Sequence, residues 1–208
     1  MTQTTIPTTV YAELTPNPST MKFVANRLLV PDGKSVEFLS KKQARPFSPL
    51  ADDLFNFPFV KGVFMSSNFI TVAKNDTIAW ELVIQQLREY IRDFLQSNEK
   101  AVTALPEAEP SQAATAVAGI PSMNFEGIAP SEYDEEIKKY LEDYVKPAVE
   151  SDGGAIDFKS FKDGVVTVVL RGSCSGCPSS TVTLKQGIQT MLMQMMPDVV
   201  KDVVAEEL

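Results

Sequence analysis

Cys174 and Cys177 are the only two cysteines in a chain of 208 residues, and the chain contains no histidine. They stand at C-x-x-C spacing. The run before them, Val165 to Leu170, is β-branched and apolar, which predicts a strand. Pro178 and a serine/threonine cluster follow, then Leu184, Ile188, Met191 and Met195 at helical spacing. The two thiols are therefore expected on a strand-to-helix turn, just before a helix N-terminus. Unsatisfied N–H groups and the positive end of the helix dipole favour a thiolate there. Gly176 lets the backbone turn tightly between the sulfurs and approach whatever they hold.

Two thiolates are half a ligand set. Zinc and iron–sulfur centres usually take four protein ligands, and no third cysteine or histidine exists in this sequence. Two chains related by a twofold axis would bring two such turns together and supply four thiolates. A dithiol/disulfide oxidoreductase is the main rival, because a strand, a C-x-x-C turn and a helix also form the redox site of thioredoxin-like enzymes. Against it, the motif comes late, after two strands instead of an opening βαβ unit. Zinc bridging a dimer fits the ligands as well. Local chemistry leaves a bridging metal and a redox dithiol both open.

The elements that must hold this turn span residues 128–208. Ser131 with Asp134 reads as a helix cap, and Ile137, Tyr140, Leu141, Tyr144, Val145 and Ala148 form the apolar stripe of the helix it opens. Pro147 should disturb the last turn, and Asp152-Gly153-Gly154 should end it. Ala155 to Phe161 and Val165 to Leu170 read as strands joined at Asp163-Gly164. A helix from Pro178 to about Met196 and a closing strand from Val199 to Ala205, with Val200 and Val204 as its apolar positions, complete an α-β-β-α-β unit. Met191 and Met195 fall on the buried stripe of the last helix. Met193 and Met196 fall off it, where a partner or dimer contact would use them.

Asp152-Gly153-Gly154-Ala155-Ile156-Asp157-Phe158, Gly164-Val165-Val166 and the run from Gly172 to Lys185 together resemble the C-terminal domain of the NifU/Nfu iron–sulfur cluster carriers. The resemblance implies a [4Fe–4S] cluster shared between two subunits, with Cys174 and Cys177 of each as ligands and Gly176 beside them. It also implies a homodimer when loaded, upstream cluster-assembly machinery as the source, and apo iron–sulfur proteins as recipients. No residue is assigned a catalytic role, and the chain is not expected to be an enzyme.

Residues 1–97 read as a first α+β domain. Strands are expected at Val10 to Leu14, Met21 to Val24, Leu28 to Val30 and Ser35 to Leu39, with Thr15-Pro16-Asn17-Pro18-Ser19 as a turn. Ser48 should cap a short helix opening at Pro49. A hairpin follows, Val60 to Met65 and Phe69 to Lys74, and then a helix from about Thr77 to Gln96 with Trp80, Val83, Ile84, Leu87, Ile91, Phe94 and Leu95 on one face. Thr15-Pro16-Asn17-Pro18 with Lys22-Phe23, Ser48-Pro49-Leu50-Ala51, Val60 to Phe64 and Phe69 to Val72 resemble the N-terminal domain of the Nfu subgroup. This domain has no cysteine, so it holds no cluster through thiolates.

Between the two lies a segment, 98–127, rich in Ala, Pro, Glu and Ser and lacking an apolar period. Such a stretch buries too little surface to offset its ordering entropy. It reads as a flexible linker that lets two small α+β domains reorient nearly freely. A net charge of −8 and a pI near 4.7 argue against nucleic acid and anionic membranes as partners. No apolar run reaches the roughly 18 residues of a membrane helix. Two cysteines in a short motif, with no others, read as cytosolic usage and not a secreted disulfide framework, and the first residues lack the basic and apolar segments of a signal peptide and the arginines of a transit peptide. The expected location is the cytoplasm.

Overall fold

The computed structural model describes residues 7–31, 34–98, 100–106, 131–175 and 178–207. In the first unit, chain order runs β1 (Val10–Leu14), β2 (Thr20–Ala25), β3 (Ser35–Phe38), α1 (Lys41–Ala44), α2 (Pro49–Leu54), β4 (Val60–Ser66), β5 (Phe69–Lys74) and α3 (Trp80–Ser97). The strands form one antiparallel sheet in the order β1-β2-β5-β4-β3. Side chains alternate across it. Met21, Phe23, Val36, Phe38, Val63, Met65, Ile70 and Val72 point into a core closed by Val83, Leu87, Ile91 and Leu95 of α3. Ser48 caps α2 as expected, its Oγ accepting from the Ala51 N–H at 3.1 Å, and it also donates to the Ala101 carbonyl at 2.8 Å.

The second unit runs α4 (Asp134–Tyr140), a π-helical turn (Leu141–Val145), α5 (Lys146–Ser151), β6 (Gly154–Lys162), β7 (Val165–Gly172), α6 (Pro178–Met195) and β8 (Asp202–Glu207). The mixed α+β character and the α-β-β-α-β order agree with the sequence reading. β6 and β7 form an antiparallel hairpin turned by Asp163 and Gly164, at φ 53° and 88°, the left-handed pair that a two-residue hairpin loop requires. β8 lies parallel to β7 on its other side, so α6 is a crossover that returns the chain to the same sheet. Pro147 stands in the first turn of α5, two residues past the end of the π turn at Val145. It has no N–H to give and its ring crowds the carbonyl four residues back, and the wider turn absorbs the mismatch.

Several expectations fail in detail. Leu28 to Val30 is not a strand: the Leu29 and Val30 N–H groups both donate to the Ser67 carbonyl, which pins the segment to a hairpin tip instead of a ladder. α1 was not expected. The closing strand begins at Asp202, and Val203, opposite the buried Val166, faces the core while Val204 is exposed. Met196 is buried and Met195 exposed, because the inward face of α6 runs Ile188, Leu192, Met196. Residues 100–105, placed in the linker, lie along the first unit: Ala101 is buried and the Thr103 N–H donates to the Phe47 carbonyl. The rest of that segment lies outside the described residues.

Candidate metal centre

At the carboxyl end of β7, Gly172 takes φ 68° and turns the chain toward α6. Cys174 follows on that turn. The Ser175 hydroxyl donates to the Gly172 carbonyl at 2.9 Å, the Thr181 hydroxyl to the Cys174 carbonyl at 3.2 Å, and the Ser173 hydroxyl to the Asp152 carbonyl. Gly176 and Cys177 lie outside the described residues, so the structure locates one of the two expected thiols. Among the described residues no group of three or more Cys, His, Asp or Glu side chains is gathered as a metal site.

Cys174 is 6% exposed. A Cβ built on Gly154 would stand 2.6 Å from its Sγ and 2.7 Å from the Arg171 carbonyl, so only glycine fits beneath the sulfur. Burial pushes the thiol up from an ordinary 9.0 to about 11; the Ser173 hydroxyl opposes this and the Asp152 carboxylate adds to it. This reverses the expectation of a favoured thiolate. Desolvation outweighs the helix dipole in this conformation. Beside the sulfur opens a cavity of about 700 Å³, walled by Tyr144, Val145, Leu184, Ile188 and Met191 and rimmed by Pro16 of the first unit.

Pro16 is one of several residues that the first unit contributes. The sheet face opposite α3 carries Lys22, Val24, Glu37, Phe64, Phe69 and Thr71, and it does not face water. Asn17 donates through Nδ2 to the Ser173 and Ser175 carbonyls, both at 3.2 Å. Thr71 Oγ1 donates to the Gly153 carbonyl at 2.6 Å, Lys22 Nζ to the Ser151 carbonyl at 3.0 Å, and Glu37 Oε1 accepts the Gly172 N–H at 3.1 Å. Val24, Phe64 and Phe69 close on Ala155. Burial raises the Glu37 carboxyl, with the Gly172 N–H and the Arg171 charge opposing. The two units are thus docked, not freely reorienting.

Sequence reasoning missed Asn17, Glu37, Thr71 and Gly154. Gly154 left a trace: Gly153 alone, at φ 82°, is enough to end the helix, so a second glycine was surplus. The other three left none. Asn17 is an ordinary turn residue, and polar residues alternating along a strand normally mean a solvated face.

Comparison with known proteins follows this geometry. A family model described as the scaffold protein Nfu/NifU N-terminal domain matches residues 10–98, and a NifU-like domain model matches 137–204. The human protein named NFU1 iron-sulfur cluster scaffold homolog, mitochondrial, is 38% identical over 190 residues, covering 89% of this chain and 67% of its own length. The chain belongs to the Nfu family. A second Nfu relative, NifU-like protein 4, mitochondrial, from Arabidopsis thaliana, is 36% identical over 196 residues, covering 91% of this chain and 63% of its own. The chain thus spans about two thirds of the length of these relatives. The solution structure of a NifU-like protein from Saccharomyces cerevisiae aligns with 50% of this chain and 92% of its own, at a TM-score of 0.44 and 18% identity. The relatives' names overturn the cytoplasmic expectation. A pair of thiols kept reduced fits any reducing compartment, so the sequence feature behind it does not choose among them.

Proposed function

We propose that this Nfu-family chain is an iron–sulfur cluster scaffold and carrier. Its cargo is a [4Fe–4S] cluster held between two copies by Cys174 and Cys177 of each, with Gly176 letting the backbone close on it. The observation that carries the reading is the position of Cys174, on a strand-to-helix turn beside a cavity, in a chain whose relatives are named cluster scaffolds. One copy offers half the sulfur ligands, so the loaded form is a homodimer.

Delivery is ligand exchange. A recipient thiol loses its proton and its sulfur bonds to an iron as the bond from Cys174 breaks; Cys174 then takes up a proton. Burial favours the protonated form of the released thiol, which does not compete for the departing iron. Sources are the upstream assembly machinery, and recipients are apo iron–sulfur proteins. The chain contributes ligands and no turnover step of its own.

Anaerobic reconstitution with iron and sulfide tests this. About two irons and two sulfides per chain, in a complex of twice the chain mass, are expected, and Cys174→Ser should lose both the colour and the dimer. A single chain carrying a complete cluster, or loaded protein that never yields iron to an apo-acceptor, overturns it.

A further inference from the structure

A shared cluster requires each Cys174 sulfur to lie open toward the other copy, within a metal–thiolate bond of about 2.3 Å. In the structure its turn is instead occupied by the chain's own first unit. Asn17, only 4% exposed, spans the two carbonyls that flank Cys174, those of Ser173 and Ser175. Glu37 holds the Gly172 N–H just before it, and Thr71 holds the Gly153 carbonyl, which also accepts the Ser173 N–H at 3.3 Å. Phe64 lies against Gly172, where a Cβ would come 2.9 Å from the ring. These contacts converge on residues 153–175 from one sheet face.

The seam is made to part. Its apolar portion is small, Val24, Phe64, Phe69 and Ala155, and the remainder is hydrogen bonds that water replaces at a net cost of only about 1 kcal/mol each. Seams with so large a polar share behave as transient interfaces. The sheet face involved is polar enough to stand in water once released, with Lys22, Glu37 and Thr71 on it.

We infer that the β2–β5–β4–β3 face of the first unit and a second copy of the chain compete for the same Cys174 turn, so that the unloaded protein is held closed in cis and pairing around a cluster displaces the Asn17 hairpin. This rests on the shared-cluster reading for the identity of the competitor, but the closed state itself is testable without iron.

In full-length Cys177→Ser protein, where Cys174 is the remaining thiol, the iodoacetamide rate at fixed pH reports opening of the turn. Thr71→Val removes one bond across the seam at constant volume, and Asn17→Ala removes two across it, together with the Ser19 N–H bond to Asn17 Oδ1 inside its own turn. Each lost bond is expected to raise the rate roughly fivefold, with Glu37→Gln, which keeps its acceptor oxygen, leaving it unchanged. Thermal unfolding checks that the variants remain folded. In the chain with both cysteines, hydrogen exchange at the Gly172 amide should be protected in the unloaded protein and lose that protection in the loaded dimer. Rates within twofold of the parent for both Thr71→Val and Asn17→Ala, or a Gly172 amide equally protected when loaded, overturn the inference. Faster alkylation in chains that never take up iron sustains the closed state and removes the cluster reading; unchanged alkylation in chains that load normally does the reverse.

Discussion

The two units use the same materials differently. In the first, five antiparallel strands lie on one long helix, and both faces of β2 are covered, so every residue from Thr20 to Ala25 is buried. In the second, three strands of mixed direction are covered by helices that include a π turn and a proline, and a cavity reaches the thiol. A filled, regular lattice resists rearrangement, whereas a loosely filled one adjusts at low cost. The chemistry sits in the second. The first supplies a platform of fixed hydrogen-bonding groups against which the mobile chemistry can be held or released.

Large-to-small substitution is the strongest way to break this contrast. Leu87 in α3 and Ile188 in α6 are both buried, and Ile188 walls the cavity. Leu87→Ala should cost about 4 to 5 kcal/mol and Ile188→Ala about 2 to 3 kcal/mol, because walls next to an existing cavity collapse more readily. Urea unfolding followed separately by Trp80 fluorescence and by Cys174 alkylation would read the two; equal losses would remove the distinction. A smaller effect should come from pH. The Cys174 thiol lies near 11 when folded against 9.0 when exposed, so the unfolded chain gives up its proton first. The stability it contributes is complete below pH 9 and is lost as pH rises through about 11, by roughly 2 to 3 kcal/mol. The slope should be shallower in Cys174→Ala, leaving the share of Tyr90 and Tyr140, whose phenols are also raised.

Two glycines in the second unit sharpen the comparison further. Gly154→Ala forces a Cβ onto Cys174 Sγ and the Arg171 carbonyl and should destabilise by about 1 to 3 kcal/mol, measurable as a lower melting temperature with a more reactive thiol. Gly187, in the middle of α6, would meet nothing within 4 Å. Gly187→Ala should stabilise by about 1 kcal/mol through helix propensity alone. A loss instead would mean that the open wall of the cavity is filled in solution, and sedimentation would show whether a second copy fills it.

Much of this was legible in the chain. Val10 to Leu14, the hairpin at Ser67-Asn68, the Ser48 cap and the stripe of α3 follow from alternation, turn chemistry and helical spacing, all of which act over a few residues. So does the placing of Cys174 between a strand and a helix, and the shortage of ligands is simple counting. What local pattern could not decide was phase and company. Met195 and Met196 traded places because one residue of helix rotation, 100°, was settled by what packs beneath. Val203 and Val204 traded for the same reason in a strand. The ordering of Asn17, Glu37 and Thr71 on the turn arises only when two sheets far apart in sequence meet, and the upward shift of a thiol that its own helix would have lowered arises only when the core of the second unit closes over it. Desolvation and hydrogen-bond satisfaction depend on every neighbour at once, and neighbours from distant sequence exist only in the folded chain.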